Sequence, residues 1–119
     1  RRAEIDAYYR EQLSGVAGIT CLPQGGQTVA NHSYFPILVG PDHPLSRDGL
    51  YEKLKNHGIY ARRYFYPLIA DFPMYRGLPS ATRSNLSQAS HASDQVLCLP
   101  IYPKLEENSQ QKIIDLIKE

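Results

Sequence analysis

Gly58-Ile-Tyr-Ala-Arg-Arg-Tyr-Phe-Tyr-Pro-Leu68 places two adjacent arginines among four aromatic rings within eleven residues. Its aromatic content and its stop at Pro67 read as a strand over Tyr60–Tyr66. Alternation along such a strand puts Tyr60, Arg62, Tyr64 and Tyr66 on one face and Ala61, Arg63 and Phe65 on the other. Neither face is purely apolar, so one guanidinium must reach past a core toward solvent or an anion. The neighbours of this stretch decide the architecture around it.

Before it, Ser46 can cap a helix that carries Leu50, Tyr51 and Leu54 on one face and closes at His57-Gly58. After it, a Pro/Gly/Arg-containing segment over 67–83 reads as a surface loop, followed by a helix over Ser84–Asp94 and a strand over Val96–Ile101. Glu106-Glu107 then opens a last helix with Ile113, Ile114 and Ile117 as its apolar stripe. Toward the N-terminus, residues 2–14 set Ile5, Tyr8, Tyr9 and Leu13 on one stripe of a helix, broken by Gly15 and Gly18. Ile19–Leu22 reads as a short strand, Gln24–Gln27 as a turn, and His32–Val39 as a second strand. Pro36 within that strand argues for an edge position or a bulge. The order of elements predicts a single α+β domain over residues 1–119, a small, mostly antiparallel mixed sheet with helices packed mainly on one face.

A chain of 119 residues can bury one core. Its net charge of +1 gives no field that would recruit nucleic acid or an anionic membrane, so any basic chemistry must be local. The longest apolar runs are too short to span a bilayer. Cys21 and Cys98 sit in apolar runs without metal-site spacing and read as reduced, buried residues, which makes the cytoplasm the expected location. The chain opens Arg-Arg-Ala-Glu, without Met and directly into a helix, as a piece cut from a longer polypeptide would.

Catalytic signatures are missing. The one Gly pair, Gly25-Gly26, does not open a helix, and no His or Cys spacing fits a metal. His57 suits a helix C-terminus, His43 and His91 read as surface positions, and His32 begins a strand. The lysines fall on helix surfaces and loops. No nucleophile, base or metal site emerges, so the chain either binds without reacting or belongs to chemistry completed elsewhere. The arginines and tyrosines of the opening stretch then have two readings. They meet an anionic, ring-bearing ligand through bidentate guanidinium contacts and aromatic faces, or they cover the sheet edge with stems and rings.

Four features together resemble the C-terminal small domain of the DegT-type, pyridoxal-phosphate-dependent nucleotide-sugar aminotransferases of fold type I. They are the helix Ala7-Tyr-Tyr-Arg-Glu-Gln-Leu13 running into Gly18-Ile19, and the strand Ser33-Tyr-Phe-Pro36 with the helix end His57-Gly-Ile59. The others are Tyr64-Phe-Tyr-Pro-Leu68 followed by Pro73-Met-Tyr75, and Val96-Leu-Cys-Leu-Pro-Ile-Tyr-Pro103 before an Ile-rich helix. The family commonly writes His-Tyr-x-Pro-Leu-His in the third segment; here those histidine positions hold Tyr64 and Ile69, so their roles do not transfer. The Arg-Arg-Tyr-Phe-Tyr-Pro form resembles the branch that acts on dTDP-linked keto-deoxysugars.

The resemblance implies a division of labour. A larger domain supplies the cofactor lysine, the partner of the pyridinium nitrogen and most phosphate contacts, so this piece alone holds no pyridoxal phosphate and no catalytic residue. The small domain closes one wall of the site, and Asn31, Tyr34, Arg62, Arg63 and Tyr64 are the expected substrate-facing residues. The whole enzyme is expected to be a homodimer moving an amino group from a donor, typically glutamate, to a keto-sugar nucleotide in deoxyamino-sugar and surface-polysaccharide biosynthesis. Two other readings compete: a nucleic-acid module using Arg62–Tyr66 as a basic-aromatic platform, and a scaffold or dimer contact whose apolar patches associate.

Overall fold

The computed structural model describes residues 1–26 and 29–119, which leaves part of the turn expected over Gln24–Gln27 outside the described residues. The elements run in order α1 (Arg2–Leu13), β1 (Ile19–Cys21), β2 (Phe35–Val39), α2 (Arg47–Asn56), α3 (Ser87–Gln95), β3 (Val96–Leu99) and α4 (Glu107–Lys118). Short 3-10 turns at Ile69–Asp71 and Pro79–Ala81 punctuate the long connection between α2 and α3. The three strands form one sheet in the order β1-β2-β3, with both pairs antiparallel. This is the expected α+β architecture.

Period-two alternation explains the sheet. Phe35, Ile37 and Val39 are buried while Pro36 and Leu38 are half-buried, and the register sets Phe35 against Leu99 and Ile37 against Leu97. That inner face packs with Ile5, Tyr9 and Leu13 of α1, Leu50 and Leu54 of α2, and Ile113, Ile114 and Ile117 of α4. The predicted helical stripes are thus the buried ones, except that Tyr8 and Tyr51 are only partly covered. On the opposite face, Leu38 and Val96 meet Ala89 and Ala92 of α3 across a shallow apolar groove. The core is one-sided.

Local chemistry fixes the joints. The Ser46 hydroxyl accepts from the Gly49 N–H at 3.1 Å and caps α2. At the other end, Gly58 takes φ 79°, the Gly58 N–H bonds Lys55 O at 3.0 Å and the Ile59 N–H bonds Leu54 O at 2.9 Å. This is a Schellman closure, completed by apolar contact between Leu54 and Ile59. Gly18, at φ 75°, lies so near the backbone at His43 that a Cβ would fall 2.0 Å from its nitrogen. His43 is no surface histidine: it is buried, its Nδ1 accepts from the Leu45 N–H at 3.1 Å, and its Nε2 donates to Ile117 O at 3.0 Å. One imidazole thereby bolts the loop before α2 to the carbonyl end of α4.

Two strand expectations need correcting. Residues 60–66 do not form a strand; only Arg62 pairs, in a single antiparallel bridge with Cys98. The chain then turns, with the Tyr66 N–H bonding Arg63 O at 2.7 Å. The peptide bonds Tyr64–Phe65 and Tyr66–Pro67 are cis. Pro36 lies in the central strand, yet the physics behind the edge expectation holds locally. Cys98 exchanges both backbone bonds with Arg62, at 3.0 and 2.7 Å, so its pairing with Pro36 on the other side is non-hydrogen-bonded. Pro36 turns its nitrogen toward β1, which has already ended at Cys21 opposite Ile37. No ladder bond is lost.

Candidate functional site

The Arg62–Cys98 bridge determines which arginine faces outward. Directly paired residues share a face, and Cys98 sits on the face opposite the helical core, so Arg62 projects there while Ala61 enters the core. Arg62 is exposed, and among the described residues its guanidinium has no ion-pair or hydrogen-bond partner. Beside it lies a hollow of about 250 Å³ shared with Tyr34, Tyr60, Tyr64 and Tyr102. Tyr34 and Tyr64 meet edge to face, with centroids 5.6 Å apart and planes at 82°. Tyr64 also stacks on Phe65 at 4.9 Å. The hollow's floor is firm. The Tyr9 hydroxyl, its pKa driven upward by burial, donates to Pro100 O at 3.0 Å. Burial pushes the Cys98 thiol up, against a smaller opposing backbone hydrogen bond at Tyr64, so Cys98 is a neutral filler and no nucleophile.

Arg63 goes the other way. Its Nη1 donates to Asp48 Oδ1 at 3.0 Å, and its guanidinium lies over Tyr51 at 4.6 Å and Tyr66 at 5.4 Å. Asn31 is exposed and its Oδ1 accepts from the Ser33 N–H at 3.1 Å, an Asx turn that shapes the approach to Tyr34. Of the five expected residues, the fold gathers Tyr34, Arg62 and Tyr64 around one hollow; Arg63 lines a second hollow with Arg62 and Tyr64 while its guanidinium is tied to Asp48, and Asn31 lines neither.

A polar network missed by sequence reading holds the Tyr34 arm. The Asp6 side chain, 5% exposed, accepts from Arg10 Nε at 2.6 Å and Gln24 Nε2 at 2.9 Å, and sits 3.0 Å from His32 Nδ1. His32 adopts φ 50°, the left-handed region, where a non-glycine residue is uncommon. Asp6 follows the stripe residue Ile5 in α1, and nothing local announced its burial or its partners. No amine faces the hollow among the described residues. Lys53 reaches Glu119, Lys112 donates to His57 O, and Lys118 donates to Gln12. The face can bind a ring-bearing anion; it offers no group that could attack one.

The sheet platform expected of the nucleic-acid reading does not form, since Tyr64, Phe65 and Tyr66 lie on a turn and not on neighbouring strands. None of the helices is long and apolar enough to cross a membrane among the described residues.

A protein from Escherichia coli named dTDP-4-amino-4,6-dideoxy-D-glucose transaminase is 50% identical over 117 residues, covering 98% of this chain and 32% of that protein. A Shigella dysenteriae protein of the same name is 42% identical over 118 residues, covering 99% of this chain and 32% of its own length. The solved structure of DesI in the presence of its TDP-sugar product superposes with a TM-score of 0.88 at 27% identity, over 99% of this chain and 30% of that one. The chain thus spans about a third of the length of the curated relatives it matches. The sequence profile of the DegT/DnrJ/EryC1/StrS aminotransferase family matches residues 1–118, and the chain belongs to that family.

Proposed function

We propose that residues 1–119 are the small C-terminal domain of an aminotransferase that acts on a dTDP-linked keto-deoxysugar, and that the Tyr34–Arg62–Tyr64 hollow forms the wall facing the nucleotide sugar. The observation that carries this reading is the 50% identity, over 98% of the chain, to a relative named as a dTDP-sugar transaminase. The geometry supports it. An unpaired guanidinium between tyrosine faces has the donors for a diphosphate and the surfaces for a base or sugar ring.

Aminotransferases of this family depend on pyridoxal phosphate, which serves as an electron sink while an amino group and a carbonyl oxygen change places between two substrates. The residues of this chain do not fit that cofactor by themselves, because no lysine lines the hollow among the described residues. In this reading the remaining two thirds of the polypeptide hold the cofactor. This domain binds the sugar nucleotide, orients it and excludes water. Glutamate is the proposed donor, a homodimer the proposed assembly, the cytoplasm the proposed location, and deoxyamino-sugar supply for surface polysaccharide the proposed role.

The test is direct. Full-length protein with glutamate and a dTDP-4-keto-6-deoxyhexose should yield 2-oxoglutarate and an aminated sugar nucleotide in equal amounts by mass spectrometry. Turnover of glutamate with simple 2-oxo acids but with no keto-sugar nucleotide would overturn the substrate assignment.

A further inference from the structure

The turn that presents Tyr64 is held by a cluster no catalytic motif predicts. Residues Arg63 to Tyr66 form a tight turn with Tyr64 and Phe65 at its exposed tip, Phe65 being 70% exposed. Both ends of the turn are gripped. At one end Arg63 pairs with Asp48 Oδ1 at 3.0 Å and lies over Tyr51. At the other, the Tyr66 ring lies 4.4 Å from the guanidinium carbon of Arg47.

Arg47 is the unusual member. Its side chain is 3% exposed, and it donates from Nε to Asp48 Oδ1 at 2.8 Å and from Nη1 to Ser93 O at 2.7 Å and Val96 O at 3.1 Å. A single buried cation thus ties the start of α2, the carbonyl end of α3 and the first residue of β3 to one aromatic ring. Asp48 joins the two guanidiniums by accepting from both through one oxygen. Lysine could not replace Arg47, since an ammonium lacks the planar fork that spans divergent acceptors while stacking on a ring.

We propose that Arg47, Asp48 and Tyr66, with Arg63, form a clamp that sets the position of Tyr64 and thereby the affinity for the sugar nucleotide; this rests on the reading of the Tyr34–Arg62–Tyr64 hollow given above. These are positioning residues. None of them lines the hollow, and they act by fixing the Tyr64 ring at its edge-to-face contact with Tyr34. The cluster also assigns Arg63, which lies next to Arg62 in sequence, to the clamp.

Steady-state kinetics of the full-length enzyme test this, with the sugar-nucleotide KM, the glutamate KM and kcat measured for each variant. Tyr66→Phe keeps the ring over Arg47 and should leave all three within about twofold of wild type. Tyr66→Leu and Asp48→Asn should each raise the sugar-nucleotide KM roughly five- to tenfold while the glutamate KM stays unchanged. A merely structural cluster would instead lower the active fraction and thermal midpoint without splitting the two KM values, and that result overturns the proposal. Arg62→Ala separates the two levels. If it too leaves the sugar-nucleotide KM unchanged, the hollow has been misread; if it raises that KM while Tyr66→Leu and Asp48→Asn do not, the clamp alone is wrong.

Discussion

Arg62 and Arg63 are neighbours in sequence and face opposite sides of the chain, one toward the hollow and one toward α2. Sequence alternation foretold that split without saying which side was which, because the answer lies in one backbone pairing with Cys98, thirty-six positions away. Arg47 and Asp6 were illegible for a related reason: each is a charged residue on a helix whose burial depends on partners remote in sequence. Asp48 carries a prediction at this scale. Partial burial works to raise its pKa, but hydrogen bonds and charge from Arg63 and Arg47 outweigh it and hold the carboxyl below its usual range. A depressed folded-state value means Asp48 stabilises the fold fully above the unfolded carboxylate value of about 3.9, and the contribution disappears as pH falls through the folded value. Asp48→Asn should therefore lower the urea midpoint at pH 7, with the gap to wild type closing as both are titrated below the unfolded carboxylate value of about 3.9. A gap that stays constant across that range would mean the carboxylate charge is not what stabilises.

Helices and strands were read well where periodicity was strong. The stripes of α1, α2 and α4 became most of the core, with Tyr8 and Tyr51 only partly covered, because apolar spacing and burial are the same information. The reading failed at residues 60–66, where aromatic composition suggested a strand but only one residue pairs. Tyr and Phe favour pleated surfaces, yet here they serve an irregular turn braced by cation–π contacts, which composition cannot distinguish from a sheet. Glycine positions give the sharpest test of how elements are joined. Gly15 and Gly18 both take positive φ, but a Cβ at Gly15 meets nothing within 4 Å, whereas one at Gly18 would strike the His43 backbone. Gly15→Ala should then cost about 1–2 kcal/mol, the price of the left-handed conformation alone. Gly18→Ala should cost roughly 3 kcal/mol or more, because backbone must also move. Denaturant titration of both variants measures the difference, and equal losses would contradict the close approach of Gly18 to His43.

For the molecule as a whole, the fold turns one sheet face into a core and leaves the other partly open. Phe65, Ile69, Met74 and Leu78 stand exposed along the connection between α2 and α3. The chain spans about a third of the length of the relatives it matches, and under the proposed function the larger part of an aminotransferase would cover this surface. What the sequence could not reveal was how the hollow is assembled, since Tyr34, Arg62 and Tyr64 come together only through the β2–β3 register and the bridge at Cys98. The central claim is that this hollow binds the nucleotide sugar, with Arg62 as its anion contact. Calorimetric titration of a dTDP-sugar into the full-length protein and into its Arg62→Ala variant tests it most directly. Loss of a charge-assisted hydrogen-bonding group predicts a Kd weaker by about tenfold or more. An Arg62→Ala protein that remains folded and binds the dTDP-sugar within twofold of wild type would contradict the account.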